Sequence, residues 1–198
     1  MDERRTRIVA AAREELLSER RFTLEGVAGR AQVSRVTVYA QFGDRDTLLE
    51  AVYDDLAASG GLLRIPEAFA AADPAAALET LVQIFCHFYT VHRLVIQRLR
   101  ALAVMSTGEL SGHGARNARR RHIIGVLLQR SGADDDRLLN TLQALTSFAF
   151  VDELAGQDRS PDEVAGQVAA LVAVAVAGVR PGDHDGGADP LNSARRRL

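Results

Sequence analysis

No lysine occurs among the 198 residues, so all 24 basic side chains are arginine, a pattern we read as coding bias before any functional signal. Cysteine occurs once, as Cys86, which excludes an intramolecular disulfide and a thiolate zinc cage and fits a reducing compartment. No run reaches the roughly 18 apolar residues that span a bilayer. The opening Met-Asp-Glu-Arg-Arg-Thr-Arg also lacks the apolar centre of a signal peptide. These absences set the expectation of a soluble, cytoplasmic protein with no membrane partner. A surplus of positive charge is missing too: the net charge is -2, and residues 1–52 carry nine arginines against nine acids. Contact with nucleic acid would therefore depend on placement, with Arg4, Arg5, Arg7, Arg35 and Arg45 sharing a face. Catalytic signatures are absent as well, with no glycine-rich phosphate loop, Ser-x-x-Lys, His-Glu-x-x-His or Gly-x-Ser-x-Gly. No enzyme and no cofactor is expected.

What the chain does have is helical periodicity in every long segment, on a composition that is 47% apolar, and no convincing strand or repeat. The fold class is all-α, a three-helix helix-turn-helix head on a larger helical body. Helix 1 should run from about Arg5 to Arg20, with Ile8, Ala12 and Leu16 turned inward. Asp44 caps a helix that carries Leu48, Leu49, Val52 and Leu56 to Ala58, where Ser59-Gly60-Gly61 breaks it. The head is thus placed at residues 1–58, the body at 62–180 and a disordered tail at 181–198, where Gly, Pro, Asp and three terminal arginines leave nothing to bury. Within the body, helices are expected from Asp73-Pro74 to His92, over Arg93 to Thr107, over Arg116 to Arg130, and from the Asp134–Asp136 run onward through Leu138, Leu142, Leu145, Phe148 and Ala149. A last helix opens at Ser160-Pro161-Asp162-Glu163.

The head holds the most specific signal. Val27 and Ala28 give a short helix an apolar face with a small residue where another helix can cross, and Val33 plugs the turn that follows. Ser34 caps the next helix, on which Val38 and Phe42 face inward four residues apart. Arg35, Val36, Thr37, Tyr39, Ala40 and Gln41 are left pointing outward. An outer face of arginine, hydroxyls, an amide and a tyrosine suits a major groove.

Over its first quarter the chain resembles the TetR family of bacterial one-component repressors. The resemblance rests on Val27-Ala28, Ala31-x-Val33-Ser34-Arg35, Thr37-Val38-Tyr39-x-x-Phe42, Arg45 and Leu48-Leu49, which keep the family's order and spacing. It implies a homodimer on double-stranded DNA with a two-fold operator. By the resemblance, Ser34, Arg35, Val36, Thr37, Tyr39, Ala40 and Gln41 would meet bases and phosphates. Arg45 would hold a phosphate at a helix N-terminus, and Thr23 would cap the first helix of the pair and lean on the backbone. Two departures stand out. Gln32 occupies the family's turn glycine, and Glu19-Arg20-Arg21-Phe22-Thr23 is shorter than the usual connection and lacks its Gly-aromatic pair.

In the body, Val168 to Val179 is Val, Ala, Leu and one Gly almost all round, so that helix must be covered on most sides. It is either the central core helix or, with the helix before it, a seam against a second copy. The seam is preferred, because few helices are available to cover it and a two-fold site needs a dimer. Its expected members are Leu145, Val168, Leu171, Val172, Ala175 and Val179. Phe85, Phe88, Tyr89, His92, Leu102, Met105 and Phe148 should converge inside the body, either as plain core or as a cavity for a small, largely hydrophobic effector. Cys86, His87 and His92 lie close in sequence, but no pair has the four-residue spacing of a helical metal site, and no metal is expected. The group Arg116, Arg119, Arg120 and Arg121 reads most simply as a solvated face, the alternative being that it balances the acids near Asp134.

The sequence thus describes a ligand-responsive, dimeric transcriptional regulator, most simply a repressor released by its effector. The alternatives are a dimeric DNA-binding protein without a ligand, and an all-α binding protein in which the helix-turn-helix is only structural.

Overall fold

The computed structural model describes residues 3–18, 20–105, 113–133, 135–156 and 158–178, with the backbone alone at 104, 105 and 113. Among these residues there are eleven α-helices and no strand. The head comprises α1 (Glu3–Leu17), α2 (Leu24–Arg30), α3 (Arg35–Phe42) and the first half of α4 (Arg45–Ser59). Helix α1 stops three residues before the expected Arg20. Ser18 ends it by donating its hydroxyl to the Glu15 carbonyl at 2.7 Å. Phe22 is buried in the short connection that follows.

Helix α4 does not end at the head. Leu48 and Leu49 pack with Ile8, Val27 and Val38, whereas Val52 and Leu56 continue the same buried row into the body. One contiguous apolar cluster therefore runs through head and body. At its far end Gly60 closes α4 in a space with no room for a side chain: a Cβ there would lie 2.5 Å from His92 Nε2 and 2.7 Å from the Phe88 ring. A glycine is required for this close approach rather than for its flexibility.

After a 3-10 turn and the short α5 (Ile65–Ala70), the body is built on α6 (Pro74–Val91), whose Asp73 cap and first-turn proline start it as expected. Helix α7 (Arg93–Met105) packs back against α1, and α8 (His113–Arg130) lies on α6. The next helix, α9 (Asp136–Leu145), is shorter than expected. Thr146 and Ser147 interrupt it, and Ser147 caps a new helix, α10 (Phe148–Ala155), by accepting from Phe150 N at 3.2 Å. Phe148 and Ala149 thus belong to α10 and are redirected by the break.

Helix α11 (Pro161–Ala177) carries the expected capping box between Ser160 and Glu163 and lies along α6. Val164, Val168 and Val172 are buried within the chain itself. Val168 and Val172 are therefore core residues, a correction to their placement in the seam. The outward face consists of Ala170, Leu171, Ala173, Val174 and Ala177, with Leu171 43% and Val174 71% exposed. Leu145 and Ala175 are half-buried, and Val179 and the tail lie outside the described residues. No described helix is long and apolar enough to cross a membrane.

Candidate nucleic-acid interface and interior cavity

Each helix of the α2–α3 pair is capped at its start. Thr23 accepts from Gly26 N at 3.0 Å, and Ser34 accepts from Thr37 N at 3.1 Å. In the turn between the helices Gln32 has φ 53, a left-handed conformation although the residue carries a Cβ. Arginines from α1 lock the pair from behind. Arg7 Nε donates to the Ala31 carbonyl at 3.1 Å and Arg5 Nη1 to the Gln41 carbonyl at 2.7 Å, with the Arg5 guanidinium 4.2 Å from the Phe42 ring centre. Arg5 and Arg7 are thereby spent on the protein's own backbone and do not join the outward arginine face. Glu15, buried in α1, accepts from Arg30 Nε at 2.6 Å, and a Cβ at Gly26 would strike that carboxylate.

The outer face of α3 is laid out as its spacing implies. Val38 and Phe42 are buried, while Arg35, Val36, Tyr39 and Ala40 are exposed and Thr37 and Gln41 half-exposed. Val36 is 76% exposed, an unusual position for a bare β-branched apolar residue and one suited to a thymine methyl group. Arg35 Nη2 donates to the Tyr39 hydroxyl at 3.2 Å, which aligns both side chains on one ridge. Ser34 and Thr23 are exposed at the two helix starts, and Arg45, at the start of α4, pairs with Asp46 at 3.4 Å.

The chain matches no family model, and no curated protein matches it. Among solved structures, a TetR transcriptional regulator from Streptomyces coelicolor aligns over 90% of this chain and 99% of its own at 26% identity, with a TM-score of 0.48. A TetR-like transcriptional regulator from Rhodococcus sp. RHA1 aligns over 89% of this chain and 97% of its own at 19% identity, with a TM-score of 0.64. The chain has the fold of a TetR-like regulator.

Within this TetR-like fold the body holds a cavity of about 270 Å³ that is partly open to solvent. One wall is α4, through Tyr53, Asp54 and Ala57; another is α6 and α7, through Phe85, Tyr89, Ile96, Leu99 and Arg100. Helix α8 supplies Arg116, Asn117, Arg119, Arg120 and Ile123, and Ser147, Phe148 and Ala149 close it. Of the expected lining, Phe85, Tyr89 and Phe148 are present. Phe88 and His92 are not: both are buried behind the cavity, where the Phe88 ring meets Tyr53 and His92 edge-on at 5.8 and 5.6 Å. Leu102 packs against the core without reaching the cavity, and the Met105 side chain lies outside the described residues.

The arginines at the start of α8 divide: Arg119 is exposed as expected and Arg121 pairs with Asp136 at 3.5 Å, whereas Arg116 and Arg120 turn inward. Arg120 is 8% exposed and donates from Nη1 to the Tyr89 hydroxyl at 3.2 Å and the Thr146 carbonyl at 3.1 Å. Arg116 pairs with Glu50 of α4 and sits 3.9 Å from the Tyr53 ring centre. Burial raises the Tyr53 phenol well above its ordinary range, so its hydroxyl stays a proton donor. The signal was present in the spacing: the inward face of α8 that ends in Ile124, Leu127 and Leu128 begins with Arg116 and Arg120. The charge of arginine suggests surface, but the phase of the helix points Arg116 and Arg120 inward.

Cys86 is fully buried in α6, and desolvation pushes its thiol up to about 12. His87 is exposed while His92 is buried, and among the described residues no group of three potential metal ligands occurs.

Proposed function

We propose that the protein is a homodimeric DNA-binding transcriptional regulator, a repressor in which α3 enters the major groove of a two-fold operator and a small effector in the body weakens that grip. The carrying observation is the double membership of α4. Leu48 and Leu49 belong to the core that holds α2 and α3, while Tyr53, Asp54 and Ala57, little more than a turn further on, line the cavity. A molecule that favours one position of this wall favours one position of the reading head, and a ligand shifts such an equilibrium only by its differential affinity for the two states. The Glu50–Arg116 pair and the Arg116–Tyr53 stack tie the same helix to α8.

The dimer is assigned to the outward face of α11, where Leu171 and Val174 stand exposed among alanines small enough to let a copy of the helix approach closely. Two heads so joined would present paired α3 helices to half-sites about one helical turn apart. The decisive experiment is selection of genomic fragments by the purified full chain, followed by gel shift at two salt concentrations. A two-fold site whose affinity falls steeply with salt is expected, since each neutralised phosphate releases counterions. Failure to enrich any sequence would reduce the helix-turn-helix to a structural element.

A further inference from the structure

The cavity walls specify the charge of the effector, an inference that rests on the effector role proposed above. Four guanidinium groups, those of Arg100, Arg116, Arg119 and Arg120, line it against one carboxylate, Asp54. They are not equivalent. Arg100 and Arg119 are exposed and can be balanced by water and counterions. Arg116 already faces Glu50. Arg120 is the interior one, and the groups its Nη1 reaches, a phenol and a carbonyl, are neutral. Its Nε has no hydrogen-bond partner among the described residues. Arginine cannot shed its proton at any ordinary pH, so a buried guanidinium without a carboxylate is held at a cost that an incoming anion would recover.

The rest of the lining is apolar or aromatic, notably Phe85, Ile96, Leu99 and Phe148. We propose that the cavity binds a small monocarboxylate with an apolar body, its carboxylate paired with Arg120 and its body against the aromatic wall. One charge suffices because one interior cation lacks a countercharge; a phosphate dianion would also meet Asp54. The Tyr53 hydroxyl offers the carboxylate a further donor. At about 270 Å³ the cavity falls just below the range of about 300–1,000 Å³ typical of drug-sized ligands, which favours a body of one or two rings or a medium alkyl chain. This adds a single negative charge to the expectation of a small, largely hydrophobic effector.

The test is calorimetric titration and thermal shift of the full chain with benzoate, 2-naphthoate and octanoate, each against its uncharged amide, and with 2-naphthyl phosphate. At least one acid should bind about tenfold more tightly than its amide, since a charge-assisted hydrogen bond is roughly twice as strong as a neutral one. That acid should also bind more tightly than the phosphate. Arg120→Gln should bring acid and amide within about twofold of each other. Arg120→Met, which fills similar space without the charge, serves as the companion if the glutamine variant unfolds. The proposal is overturned if no acid is preferred over its amide, if the phosphate binds best, or if the preference survives loss of Arg120. Gel shift without ligand keeps the two readings apart. Operator binding without acid preference sinks the carboxylate site alone, and acid preference without operator binding sinks the regulator.

Discussion

The exposed face of α3 is a place where single side chains act without supporting the fold. Arg35 and Tyr39 bond only to each other among the described residues and project from a helix held by Val38 and Phe42. Arg35→Ala and Tyr39→Ala should each weaken operator binding by about 1–3 kcal/mol while leaving the melting temperature nearly unchanged; normal binding by either would remove it from the interface. Gln32 is the opposite case, a residue whose cost lies in the backbone. Its φ of 53 is one that a glycine adopts freely. Gln32→Gly should therefore stabilise the chain by about 1 kcal/mol and raise its melting temperature by about 2–4 °C, which a thermal melt would check. This requirement was legible only through the family resemblance, which implies a glycine at that position of the turn. The behaviour of His92 was not, because it depends on what α4 and α7 bring around it. Burial first, then the positive charge of Arg13 and neighbouring His87, hold its imidazole below the ordinary value, against an opposing pull from Asp55. The unfolded chain takes up a proton near pH 6.5 that the folded chain refuses until lower pH. Stability should thus fall as pH drops below about 6.5, and His92→Phe should flatten that decline in melts run from pH 7.5 to 5.

At the scale of helices, propensity and caps located the elements well but could not fix their rotation. Asp44, Asp73 and Ser160 each start a helix where the sequence places one. The break between α9 and α10 was missed because Leu142, Leu145, Phe148 and Ala149 keep a helical period straight across it. The interruption lies in hydrogen bonding: Thr146 bonds its hydroxyl back to the Leu142 carbonyl, and Ser147 turns from helix interior to cap. Helix α11 shows the same limit differently, since a stretch apolar on all sides contains no phase to read. Packing on α6 decides it, burying Val168 and Val172 and leaving Leu171 and Val174 outside. The two faces make a paired prediction. Val174→Asp should shift the sedimentation of the protein from dimer to monomer while the melt stays cooperative. Val172→Asp should destabilise the monomer itself by several kcal/mol, because it buries an unpaired charge. A Val174→Asp protein that remains a tight dimer would move the interface elsewhere.

Across the whole molecule the head was legible, and of the cavity only the aromatic wall of Phe85, Tyr89 and Phe148 was. Recognition of the head rests on residues close together in sequence, from Thr23 to Leu49, whose offsets survive without knowledge of the rest. The cavity is assembled from residues 53 to 149, and its buried cation, Arg120, comes from a helix whose arginines resemble solvent-facing charge until α6 and α10 are placed around them. The single cysteine adds a consequence of another kind. Cys86 sits fully buried in the second half of α6, the helix on which α11, α5, α10 and α8 all lean, and no other thiol competes with it. Alkylation by a maleimide must then wait for α6 to be laid bare, so the labelling rate, set against that of an unstructured thiol, counts how often the body opens. A compound that occupies the cavity should slow that rate by the factor 1 + [L]/Kd, provided the opening that exposes Cys86 also dissolves the cavity. The protein thus carries its own reporter of occupancy, readable by mass without a fluorophore, an operator or an engineered residue.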